Sequence, residues 1–116
     1  MKTILFEVMS AEAAMERAKV ILRSGKPDKH ARMIFPTPAD MAQTLTPSRW
    51  RVVQAMTGAG PLGVRELARR VGRDVKAVHN DATALVNNGV IERTDDGKYL
   101  FPFDTVKVQF EMRAAA

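Results

Sequence analysis

The side chains of this 116-residue chain whose types and spacing promise chemistry are basic and carboxamide groups, and the chemistry is recognition of a polyanion. Between Val64 and His79 five basic residues (Arg65, Arg69, Arg70, Arg73 and Lys76) face only Glu66 and Asp74. Between Arg17 and Arg32 six more (Arg17, Lys19, Arg23, Lys26, Lys29 and Arg32) are set against Asp28 alone. Guanidinium and ammonium groups at this density neutralise phosphates, which sets affinity and register without reading sequence. The remainder of the chain is close to neutral or acidic, so the net charge of +5 comes from these two clusters.

Sequence reading needs different groups, and the residues that follow the second cluster supply them. On a helix spanning about Val75 to Asn88, Lys76, Ala77, His79, Asn80 and Thr83 lie opposite Val75, Val78, Ala82 and Leu85, which turn inward. A carboxamide such as that of Asn80 pairs bidentately with adenine, and Lys76 can donate to guanine. Arg93 and Lys98 flank a further surface, with an acidic tip at Asp95-Asp96 between them. Asp81 lies in the same helix as Asn80 and would repel phosphate unless Lys76 or Arg73 pairs with it.

These side chains require a framework, and the sequence specifies one. Thr46-Pro47 combines a capping hydroxyl with proline at a first helical position, and Trp50, Val53 and Met56 follow at spacing three. Gly58-Ala59-Gly60-Pro61 ends that helix. A second helix is predicted from Val64 to Val71 with Leu67, Ala68 and Val71 inward, then the turn Gly72-Arg73-Asp74, with Asp74 capping the helix that starts at Val75. Two helices crossing steeply through a short turn need a small residue at the crossing, a residue tolerant of positive φ, and a buried aliphatic on the second helix. Ala68, Gly72 and Val78 meet these needs. Gly89 closes the helix, and Val90–Arg93 and Lys98–Phe101 read as two strands joined by an Asp-Gly turn. Helix, corner and hairpin in this order predict an α+β fold: a winged helix-turn-helix with an added N-terminal strand–helix unit and a C-terminal strand.

Outside that region, Thr3–Val8 is predicted to be a strand with Ile4, Phe6 and Val8 on one face. Ser10 caps a helix from Ala11 to Arg23, expected to turn Ala14, Ala18, Ile21 and Leu22 to one side. Residues 25–38 form a connector with an extended stretch at His30–Phe35, and Asp40–Leu45 has room for one or two helical turns. Val106, Val108, Phe110 and Met112 alternate with polar residues as in a strand. The expected division is 1–45 for dimerisation, 46–103 for DNA binding and 104–116 for a C-terminal strand and tail. Neither terminal strand has a hairpin partner nearby, so the two are expected to pair across the two-fold axis of a homodimer, with the Ala14, Ala18 and Leu22 stripe packed over that sheet; the alternative is that the two termini pair within one chain and complete a monomer's core.

The blocks Leu45-Thr46-Pro47-Ser48-Arg49, Val64-Arg65-Glu66-Leu67-Ala68, Val75-Lys76-Ala77-Val78 and Leu85–Ile91 resemble successive segments of bacterial winged-helix regulators of the MarR and ArsR type. The resemblance spans about half the chain. The flanks depart from the long helical dimerisation arms of the MarR layout. What the resemblance implies is double-stranded DNA binding by a transcriptional regulator, a repressor in the first instance, and some proteins of this shape are antitoxins with a small toxin-like protein as partner.

Composition narrows the alternatives. With no cysteine there is no thiolate nucleophile and no disulfide, and the cytoplasm is the expected compartment. The N-terminus meets Glu7 too early for a signal peptide, and no apolar run spans a membrane. His30 and His79 have no spaced carboxylates, and no nucleophile triad or phosphate loop is present, so no metal, cofactor or catalytic residue is expected. The competing class is a protein–protein module in which the arginines meet an acidic partner. RNA binding is disfavoured because aromatics are missing from the basic stretches.

Overall fold

The computed structural model describes residues 2–114. In chain order its elements are β1 (Thr3–Val8), α1 (Ala11–Ser24), β2 (Ala31–Phe35), α2 (Pro38–Thr44), α3 (Pro47–Met56), α4 (Val64–Val71), α5 (Val75–Asn87), β3 (Glu92–Arg93), β4 (Tyr99–Leu100) and β5 (Thr105–Gln109). They form a mixed α/β fold with a three-stranded parallel sheet, ordered β2-β1-β5, and a separate antiparallel pair, β3-β4.

Local signals set the helices. Ser10, Thr37, Thr46 and Asp74 each accept the backbone N–H of the residue three positions on, so four of the five helices begin on a side-chain cap. Gly72 ends α4 at φ 69° and Gly89 follows α5 at φ 77°, left-handed conformations in which a Cβ is unfavourable. Leu67, Ala68, Val78, Ala82 and Leu85 bury the α4–α5 corner, and Val52, Val53 and Met56 of α3 close it. The β3–β4 hairpin covers the far side through Tyr99 and Phe101. Leu62, in the α3–α4 connection, exchanges two 2.8 Å backbone hydrogen bonds with Tyr99.

In the parallel sheet the alternative pairing of the terminal strands is observed, not the expected one across a two-fold axis. The two terminal strands find each other within one chain: β1 is central, with β2 on one side and β5 on the other. The partner of β1 lies about a hundred residues on, which hairpin reasoning does not reach. Because β1 is central and both faces of the sheet are covered, Leu5 and Glu7 are buried together with Ile4 and Phe6. Phe6 meets Phe35 edge-on at 6.3 Å and lies 5.7 Å from Trp50, which joins the sheet to α3. One continuous core therefore runs from Ile4 and Phe6 through Val52, Leu67 and Leu85 to Phe101.

Two expected burials are also corrected. No residue of α1 is buried, and Leu22 is 80% exposed; the half-buried positions of this helix are Ala14, Arg17 and Ile21. Ala11, Met15, Ala18 and Leu22 form the solvent flank instead; of the expected stripe Ala14 and Ile21 face inward, with Arg17, which pairs with Asp28, between them. Val75, the first residue of α5, is exposed, and the buried residues of that helix begin a turn later at Val78.

Candidate nucleic-acid interface

Hydrophobic burial orients α5. With Val78, Ala82 and Leu85 fixed inward, a 100° rotation per residue sends Lys76, His79, Asn80 and Thr83 to the opposite side. Lys76, His79 and Asn80 are exposed and Thr83 is half-buried. Asn87 continues this row one turn past Thr83 and is exposed too. Its place in the row is carried in the sequence by its spacing of seven from Asn80 and is not among the expected site residues. Ala77 stands apart from the row: it is half-buried, and its amide donates to the Asp74 cap at 3.2 Å.

The arginines divide into three situations. Arg69 and Arg70 both pair with Glu66, three and four residues earlier on α4, yet their side chains stay 75% and 44% exposed. Pairs this exposed are worth about 0–1 kcal/mol and yield readily to a stronger anion. Among the described residues Arg65 and Lys76 have no acidic partner, and both are exposed. Arg73 is committed differently, since its Nη1 donates to Asp81 Oδ2 at 2.7 Å. Arg49 Nε lies 3.5 Å from the other oxygen of Asp81, while its Nη1 donates to the carbonyls of Gln43 and Thr44 at 3.2 Å. Asp81 thus links α5 to the α4–α5 turn and to the end of α2. Burial alone would raise its pKa, but hydrogen bonds from Arg73 and Ser48 and the charges of Arg73 and Arg49 outweigh it and hold the carboxyl below its ordinary value. The Asp81 charge is thereby neutralised within the protein.

On the hairpin, Arg93 stacks over the Tyr99 ring at 5.2 Å and Lys98 lies 4.0 Å from Asp96. Thr94 donates its hydroxyl to Asp96, which lowers the pKa of that carboxyl and keeps the tip anionic. The earlier basic cluster does not join this surface as a block. Arg17 and Arg32 turn toward Asp28 and Glu7 on the parallel sheet, while Arg23, Lys26 and Lys29 remain exposed.

The arrangement offers donors and carboxamides on one uncovered helix face, with exposed guanidinium groups on the helix before it. Among the described residues, no group of histidines and carboxylates is placed to hold a metal ion, and no helix is long and apolar enough to cross a membrane. A family model described as HVO_A0114 matches residues 44–108, more than half of the chain. The chain belongs to the HVO_A0114 family. The segment that defines this membership runs from the end of α2 into β5, and so contains α3, α4, α5 and the hairpin, whereas β1, α1 and β2 lie before it. No curated protein matches the chain.

Proposed function

We propose that this protein is a winged helix-turn-helix regulator of transcription that binds double-stranded DNA in a sequence-specific way, with α5 lying in the major groove. The observation that carries the reading is the uncovered row Lys76, His79, Asn80, Thr83 and Asn87 on a helix whose other side is locked into the core. The bridge from Leu62 to Tyr99 supports it, since it gives the hairpin the short third strand of a wing packed on the helical corner. In this reading Asn80 and Lys76 address base edges, and His79 and Thr83 lie alongside. Arg65, Arg69 and Arg70 hold the phosphates, and Arg73 adds whichever of its five N–H donors Asp81 leaves open. Arg93 and Lys98 touch the backbone from the wing, whose anionic tip stays out of the minor groove.

A single corner of this kind reads only a few base pairs, so the reading includes a homodimer on symmetric half-sites and repression by occupancy of a promoter. A small toxin-like partner belongs to the antitoxin version of the same reading. A protein–protein module remains the second reading because Glu66 offsets part of the charge of Arg69 and Arg70 and the hairpin tip is acidic.

The test is fluorescence anisotropy on the DNA upstream of the protein's own gene, compared with scrambled DNA. Affinity should fall steeply between about 50 and 200 mM salt, because several phosphates are neutralised. Asn80→Ala should lose discrimination between the two DNAs by about 1–3 kcal/mol. Arg69→Ala should weaken both alike. A salt-insensitive binding constant, or two mutants that behave identically, removes the reading.

A further inference from the structure

The parallel sheet has its own site. Strand β1 leads through α1 to β2 on one side, while the chain returns to β5 on the other side after passing through the remaining helices. The two connections use opposite faces. Phe6 packs on Trp50 of α3, and its neighbour Glu7 points to the other face, where Arg32 and Asp28 tie it to Arg17 of α1. The gap between β1 and β5 is therefore a topological switch point, and in open parallel sheets ligands settle outside the carboxyl ends of the strands at such a point.

An open cavity of about 420 Å³ occupies this position, lined among others by Glu7, Met9, Arg17, Gln109, Phe110 and Arg113. That volume lies within the usual range for small-molecule sites. Two polar atoms of its lining are buried with no hydrogen-bond partner: Glu7 Oε2, on a residue 94% buried, and Arg17 Nε. Arg32 satisfies only Oε1 of Glu7. An orphaned carboxylate oxygen and an orphaned guanidinium N–H are each expensive to bury, and they are complementary in kind, one acceptor and one cationic donor. Arg113, paired with Glu111 at 3.0 Å, repeats the same two charges at the rim, with Phe110 beside them.

We infer that this cavity is a small-molecule site for a zwitterion of the α-amino acid class, its ammonium held by Glu7 and its carboxylate by Arg17. The inference is independent of the DNA-binding reading, because the site lies on the sheet and its occupancy is measured without DNA.

The experiment is an amide-shift NMR titration of the full chain with each of the common amino acids at millimolar concentration. Acetate and methylammonium serve as single-charge probes. At least one amino acid should saturate with shifts at Met9, Gln109 and Phe110, and neither single-charge probe should match it. Arg17→Gln should weaken that binding by about tenfold or more. Glu7→Gln should do the same where it folds; Arg17, which is half-exposed, provides the second variant, and unchanged amides in α1, β1 and β2 verify that the helix keeps its seat on the sheet. The inference is overturned if no amino acid saturates, if acetate binds as well as any of them, or if Arg17→Gln binds as tightly as wild type.

Discussion

Asp81 has a side chain only 15% exposed and sits between the guanidinium groups of Arg73 and Arg49. Its carboxyl titrates below the ordinary value of 3.8, so the ionised form is favoured by folding. A depressed folded-state pKa contributes stability that is present above the unfolded value and lost as pH falls through the folded one. Asp81→Asn should therefore destabilise the protein at neutral pH by about 1–3 kcal/mol, the range for charge-assisted hydrogen bonds. The difference from wild type should shrink as pH falls below about 4. Urea unfolding at a series of pH values measures this, and a deficit independent of pH would show that the two arginines are not what Asp81 contributes. The same substitution frees Arg73, so on the proposed reading affinity for DNA should hold or rise while stability falls. The residue scale is partly legible in sequence: Asp81 stands there as a liability to be paired, with Lys76 or Arg73 as the partner, and the structure selects Arg73. Arg49 could not be foreseen, because its position depends on how α3 crosses α5.

Among the elements, what the sequence made legible is what is local. The caps at Ser10, Thr46 and Asp74 and the stops at Gly72 and Gly89 place helix ends within a residue or two of those observed. What is less legible depends on contacts distant in sequence: pairing of the two termini within one chain stands only as the alternative, and the parallel register of Thr3–Glu7 with Thr105–Gln109 is not specified. Helix α1 shows a second limit. With Ala11, Ala13, Ala14 and Ala18 distributed around it, several faces look equally apolar, and the one turned inward combines Ala14 and Ile21 with Arg17 and its pair to Asp28. Leu22→Gln should accordingly change stability by no more than about 0.5 kcal/mol, as for other exposed positions. Ile21→Gln, one residue away and half-buried, should be clearly worse in the same melting experiment. At the corner, Gly72→Ala must place a Cβ at φ 69° and should destabilise by about 1–2 kcal/mol. Gly72→Asn should recover part of that loss, because asparagine tolerates the left-handed region. Nothing lies within 4 Å of the added Cβ, so the backbone conformation and not a clash sets the penalty.

At the scale of the whole molecule, the family-defining segment and the fold do not coincide. Residues 44–108 carry the helical corner, the hairpin and β5, but the strand on which β5 pairs lies outside them. Phe6 packs against Trp50 within one continuous core, so the sheet and the helical corner share their interior. Removing that seam should be felt throughout: Phe6→Ala should destabilise by about 3–5 kcal/mol, a large share of the 5–15 kcal/mol typical of a whole domain. Elements that share a core unfold together, so the chain should lose its structure in a single transition. Trp50 is the only tryptophan and sits at the seam, which makes its fluorescence a reporter of sheet docking, while far-ultraviolet circular dichroism reports mainly the helices. In wild type the two urea curves should superimpose. In a fragment limited to residues 44–108, β5 would be left without its β1 partner and Trp50 without Phe6, so the midpoint should fall sharply and the exposed strand should promote association. If the fluorescence change instead precedes the loss of helix in the full chain, and the fragment melts at the same midpoint as the helices of the intact protein, the sheet is an accessory and the corner stands alone.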